Sequence, residues 1–247
     1  MIKVQSVYDL IDIVAPFSTS EEWDNAGVII GCGCDEISKV LCTLDLTYDA
    51  INYAEEIGAS LIVSHHPPIF KPLYNLKHTP CTEAVRKGIS VISAHTNVDK
   101  SKKLCNDNKI VSALNLTVID RLEDYGYVAE CDSLYNSINE IAMVLKEKLG
   151  LPYVTVIGEK NNVKRVAICC GAGGDFIETA CGLGATLFIT GEMKHSEIIL
   201  ANQKNMPVLL LGHFGSEKVF ADNMADYLVS KGIDAVPYYN KYDCKVI

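Results

Sequence analysis

The chain reads as an α/β protein. Three observations predict that class. Short, very apolar runs alternate with segments of helical period; histidine or acidic residues stand at the ends of several of those runs; and 247 residues that are 49% hydrophobic and 21% charged can bury a sizeable core. The length suits one large domain or two small lobes.

From the start, residues 1–6 run directly into an amphipathic helix pattern. Residues 39–45, 59–65 and 90–95 have the continuous apolar character of strands buried on both faces. Between them, 48–57 and 81–87 carry helical spacing, giving the β-α-β rhythm of a mostly parallel sheet. Asp45-Leu46-Thr47 supplies N-cap chemistry for the first of these helices, and Gly58 stops it. Residues 137–149 place Ile138, Ile141, Ala142, Leu145 and Leu149 on one helical face. The rhythm then restarts, with strands at 165–170, 186–190 and 207–211 and helices at 175–181, 194–205 and 216–231. Two α/β lobes are therefore expected, 1–122 and 123–247. Their junction is expected near 120–127, where no Pro/Gly/Ser linker separates them and elements can be exchanged across the boundary.

Charge and cysteine usage narrow the function classes. The formal charge of −9, from 22 basic and 31 acidic residues, repels phosphate backbones and excludes a nucleic-acid footprint. The local group Lys100, Lys102 and Lys103 reads as a solvated loop before it reads as a phosphate site. Of ten cysteines, Cys42, Cys169 and Cys170 sit in apolar runs, where a thiol behaves as a small hydrophobe. Cys32 and Cys34 flank a glycine, and no second pair answers them at zinc-finger spacing. No secretory signal is visible, and no apolar run approaches the ~18–20 residues of a membrane span, so a reduced cytoplasm is the expected location.

The chemistry concentrates at predicted strand ends, where open parallel sheets bind their ligands. Ser64-His65-His66-Pro67-Pro68 closes one apolar run. His95 and Asp99 follow another, Glu192 and His195 a third, and Gly212-His213-Phe214-Gly215-Ser216-Glu217 a fourth. Imidazole and carboxylate are ligands for divalent metals. Neighbours on an extended chain face opposite ways, so His65 and His66 could serve two different ions. A carboxylate such as Glu217, four residues after His213, can bridge a metal pair. Gly171-Ala172-Gly173-Gly174-Asp175 lacks the residues of a P-loop and reads as a tight turn. No Gly-x-Ser-x-Gly elbow supports serine-hydrolase chemistry.

These pieces resemble the NIF-three-like dinuclear-metal hexameric family, the homologues of GTP cyclohydrolase I type 2. The matching segments are Glu22-Trp23-Asp24-Asn25-Ala26-Gly27, Ser64-His65-His66-Pro67, Ala94-His95-Thr96-Asn97-Val98-Asp99, Ile189-Thr190-Gly191-Glu192 with His195, and Gly212-His213-Phe214 with Glu217. The resemblance implies two similar, interlinked α/β lobes with a metal site in the cleft between them, and a ring-shaped homohexamer. It assigns His65, His66, Asp99, His213 and Glu217 as ligands of two divalent ions per subunit. His66 and Asp99 would go to one ion and His65 and His213 to the other, with Glu217 bridging. Zinc, iron, manganese, cobalt and nickel all suit such ligands.

The functional expectation is a metal-dependent hydrolase, cyclohydrolase-like or phosphoesterase-like, acting on a nucleotide-like or phosphorylated small molecule. Glu192 or His195 would move the proton, and His95 would face the substrate. The alternatives are a non-catalytic metal-binding or regulatory protein, and a structural metal clamp. Mixed His/carboxylate ligands with open coordination positions count against the clamp.

Overall fold

The computed structural model describes residues 2–241, apart from the side chains of 132–134. It has the expected α/β composition and divides into two compact units. Among the described residues, the first unit runs to Cys105 and resumes at Lys218, and the second is Asn106–Glu217. The expected boundary at 122/123 falls inside the second unit, and residues 242–247 of the expected second lobe lie outside the description.

The first unit is built on a five-stranded sheet. Its order is Ala235–Tyr238, Val40–Thr43, Leu61–Ser64, Ser90–Ser93, Gly27–Ile30. All neighbours are parallel except Gly27–Ile30, which runs antiparallel to Ser90–Ser93. Every residue of the three central strands is buried, which is why their sequences are uninterrupted apolar runs and not alternating ones. The helix Tyr48–Glu56 begins where predicted, with Thr47 as its cap: the Thr47 hydroxyl accepts from the Ala50 N–H at 3.1 Å. It packs Ala50, Ile51 and Ala54 against Leu41 and Ile62, together with Cys81 and Ala84 of the helix Pro80–Arg86. The helix Phe220–Ser230 packs on Val40–Thr43 and Ala235–Tyr238. It ties to the first helix, Val4–Val14, where the Tyr227 hydroxyl donates to the Leu10 carbonyl at 2.6 Å.

The second unit holds a six-stranded sheet of order Leu116–Leu122, Tyr125–Ser137, Asn161–Cys169, Leu187–Thr190, Val208–Leu210, Thr155–Ile157. Only the two pairings along Leu187–Thr190 are parallel. The other three are antiparallel, so this sheet is mixed where a mostly parallel one was expected. Part of the difference is the edge strand Thr155–Ile157, and part comes from 120–127, whose charged residues read as a lobe junction. They are the turn of a long hairpin, tightened by Glu123 at φ +57°. The helix Ile138–Lys148 buries Ile138, Ile141, Ala142 and Leu145, as its period predicts. The expected helix over 216–231 is two helices, His213–Glu217 and Phe220–Ser230, and the chain passes between units in the interval. Among the described residues no helix is long and apolar enough to cross a membrane.

Candidate metal-ligating sets

In the first unit, three parallel strands release their side chains at one end. His65 follows Ser64 directly and is fully buried. Its Nδ1 lies 2.9 Å from the Ala94 carbonyl oxygen, which can only accept. Nδ1 therefore carries a proton, and Nε2 lies 3.4 Å from Asp99 Oδ1. Asp99 closes the short helix Thr96–Asp99. The His66 Nδ1 lies 2.7 Å from Asp45 Oδ1, just beyond the strand Val40–Thr43. His95 repeats the pattern, with Nδ1 2.9 Å from Asp24 Oδ1. Asp24 also accepts from the Thr96 N–H at 3.1 Å and the Thr96 hydroxyl at 2.5 Å. Burial pushes the Asp24 carboxyl up, but the His95 and Thr96 hydrogen bonds outweigh it and hold it down to about 2.

Strand alternation ends at Ser64, so it does not separate the adjacent histidines. The His65 and His66 ring centroids are 5.1 Å apart, and His95 stands 5.1 Å and 5.6 Å from them. One ligating nitrogen from each of the three lies within 4.8 Å of the others. His95, expected to face a substrate, is thus equally placed to touch a cation.

In the second unit, His213 and Glu217 occupy the ends of one short helix and do share a face. His213 Nε2 is 2.9 Å from Glu217 Oε2, while His213 Nδ1 is 3.1 Å from Glu192 Oε1. With Nδ1–H directed at Glu192, the atoms facing each other at 2.9 Å both bear lone pairs. That approach needs a positive charge, either a proton or a metal ion. Glu217 is buried against Gly171, whose φ is +67°. A Cβ on Gly171 would fall 2.2 Å from Glu217 Oε1, so only glycine leaves the carboxylate its place. Ser216 secures the turn, accepting from the Gly171 N–H at 3.0 Å and donating to the His213 carbonyl at 2.9 Å. The glycine segment is the tight turn expected, and its Gly173 N–H is taken by Thr190 Oγ1 at 3.1 Å. Nearby, Asp107 is buried and accepts from the Cys170 N–H at 2.8 Å; burial pushes its carboxyl up to about 6. Glu192 is exposed and backs His213. His195 is exposed at the first position of the helix His195–Gln203.

The donor chemistry fits divalent metals. Four of the six histidines have Nδ1 against a carbonyl or carboxylate oxygen, which orients the ring and aims Nε2 away from that anchor. Two donors held on one ion at ~2.1 Å stand roughly 3–3.4 Å apart, the range of the two His–carboxylate approaches. Sequence reasoning missed Asp45 and Asp24 as partners of His66 and His95, having read Asp45 as capping material. A carboxylate just past one strand of a sheet whose neighbour ends in histidine is the signal that would have found Asp45. Of the lysines read as a solvated loop, Lys100 Nζ pairs with Glu21 Oε1 at 2.6 Å, and Lys103 lies over the Tyr227 ring.

The chain belongs to the Duf34/NIF3 (NGG1p interacting factor 3) family, whose profile matches residues 2–238. A Campylobacter jejuni protein named GTP cyclohydrolase 1 type 2 homolog is 34% identical over 231 residues, covering 90% of each chain. The Drosophila melanogaster NIF3-like protein 1 is 32% identical over 234 residues, 88% of this chain and 79% of that one. The crystal structure of a Staphylococcus aureus hypothetical protein superposes with a TM-score of 0.87 at 25% identity, covering 100% of this chain and 99% of that one.

Proposed function

We propose that this protein binds two divalent metal ions and uses them as a hydrolase of nucleotide-like or phosphorylated small molecules. The observation that carries the metal reading is the shared anchoring of His65, His66, His95 and His213 through Nδ1. The ligands we assign are those of the family resemblance: His65, His66, Asp99, His213 and Glu217. The 3.4 Å approach of His65 Nε2 to Asp99 Oδ1 favours His65 as the partner of Asp99 on one ion, in place of His66.

Bound divalent ions would supply a water of lowered pKa at neutral pH. The chain's own groups do the rest. Asp45 and Glu192 fix the His66 and His213 rings. His95, held by Asp24, presents an imidazole beside two exposed aromatics. The Trp23 and Phe70 ring centroids stand 6.3 Å and 6.0 Å from it, and 5.7 Å from each other. Aromatic faces beside a polar ring suit a flat heterocycle. The cyclohydrolase in the name of the Campylobacter jejuni relative agrees with such a substrate class.

The test is turnover. Metal-loaded protein incubated with a panel of purine nucleotides and phosphoesters should show metal-dependent turnover that His66→Ala abolishes. Normal turnover by His66→Ala would sink the assignment. One observation favours a non-catalytic metal-binding or regulatory protein: Glu192, the expected proton carrier, is engaged with His213. Full metal occupancy without turnover across the panel would establish that reading. The resemblance also carries a homohexamer, which light scattering of the purified protein tests directly.

A further inference from the structure

The loop after the strand Gly27–Ile30 carries a second cluster of ligating groups, separate from the histidines. Cys32 and Cys34 are both exposed, with their sulfurs 3.1 Å apart. Asp35 completes the set: one ligating atom from each of the three lies within 4.8 Å of the others. The loop is held rigidly. Its Gly33 and Asp35 carbonyls accept from the Gln5 and Val4 N–H groups at 3.0 Å each, at the start of the helix Val4–Val14. The Asp35 N–H donates to the Cys32 carbonyl at 3.0 Å. Asp35 Oδ2 accepts from the Cys32 N–H at 2.7 Å and from the hydroxyl of buried Ser90 at 3.2 Å, so the carboxylate is fixed beside the thiols. Gly31, at φ +95°, leaves no room for a Cβ, which would lie 2.3 Å from Ser90 Oγ and 2.8 Å from Ser90 Cβ.

We propose that Cys32, Cys34 and Asp35 form a binding site for one thiophilic divalent cation of the zinc class, with an open coordination position facing solvent. Once ionised, two thiolates and a carboxylate at this spacing repel one another, and a cation among them removes that repulsion. The Cys34 N–H and then the Cys34 thiol act on the Cys32 sulfur and hold its thiol below the usual range, while the same hydrogen bond holds the Cys34 thiol up; one thiolate is favoured, and a bound cation displaces the proton of the other. Thiolates on one zinc ion at ~2.3 Å stand about 3.7 Å apart. The pair therefore has to open by about half an ångström, within reach of a small χ1 adjustment. The missing second cysteine pair, which excludes a closed structural finger, is what leaves this site open and accessible.

The test uses the full chain, reduced, and cadmium chloride as probe. Thiolate-to-cadmium charge-transfer absorbance should rise with the metal. Cys32→Ser and Cys34→Ser should each weaken that response at least about tenfold. His66→Ala and Cys181→Ser should leave it unchanged, which separates this site from the histidine set. A second measurement needs no variant: zinc chloride should protect Cys32 and Cys34 from alkylation by iodoacetamide, read by peptide mass spectrometry. An absent thiolate band, a band that survives the Cys32→Ser/Cys34→Ser double substitution, or alkylation of both cysteines at the same rate with and without zinc would overturn the proposal.

Discussion

Asp45 Oδ1 lies 2.7 Å from His66 Nδ1, so one carboxylate past the end of one strand sets the tautomer of a histidine past the end of the next. A histidine fixed in this way is a stronger and better aimed ligand than a free one. Replacing Asp45 with alanine should lower metal affinity by about 10- to 100-fold, with little change in the thermal transition of metal-free protein. Competition against a chelator of known affinity measures it. Unchanged affinity would mean that Asp45 serves only the local loop.

Asp24 links stability to pH. Its carboxyl is held down to about 2 in the folded protein by His95 and Thr96, against the push of burial. A depressed carboxylate stabilises fully above its unfolded value near 4 and loses that contribution as pH falls toward 2. Wild type should exceed Asp24→Ala by about 1–2 kcal/mol near pH 7. The advantage should shrink when urea unfolding is repeated near pH 3. A pH-independent difference would contradict the assignment.

Much of the first sheet was legible because its central strands are buried on both faces and so spell continuous apolar runs. The second sheet was less so. Its 116–137 hairpin has exposed positions and a charged turn, which mimic a linker, and nothing local announces that Phe220–Ser230 packs in the first unit. Pairing across a sheet and the return of a chain are long-range facts. The same distinction holds for the candidate ligands. His213 and Glu217 share a helix, so their spacing gave their proximity. The partners of His66 and His95 lie 21 and 71 residues away in the chain, and only the fold brings them there.

Gly171→Ala should be among the most damaging single-methyl changes in the second unit. The new Cβ would sit 2.2 Å from Glu217 Oε1, at a φ of +67° that alanine disfavours. We expect a loss of about 1–3 kcal/mol in urea unfolding together with reduced metal content. Wild-type stability and metal content would show that Glu217 has room to move.

Asp107 works in the opposite sense to Asp24. Burial pushes its carboxyl up to about 6, so its charged form costs stability. That cost is absent below the unfolded value near 4 and grows as pH rises through about 6. In metal-free protein, the stability difference should move in favour of Asp107→Asn by about 1–3 kcal/mol between pH ~4 and pH ~7. A difference that stays level across this range would place the Asp107 charge in a better solvated environment than its burial indicates.

The central proposal is that the assigned histidines and carboxylates hold two divalent ions per chain, and counting ions tests it most directly. Elemental analysis of wild type and Glu217→Ala, each loaded and desalted identically, should give about two His/carboxylate-bound ions per chain in the wild type and one or none in the variant. Both proteins would carry the Cys32→Ser/Cys34→Ser background, so that thiol-bound metal does not enter the count. Equal metal content in the two proteins, or none in either, would contradict the account.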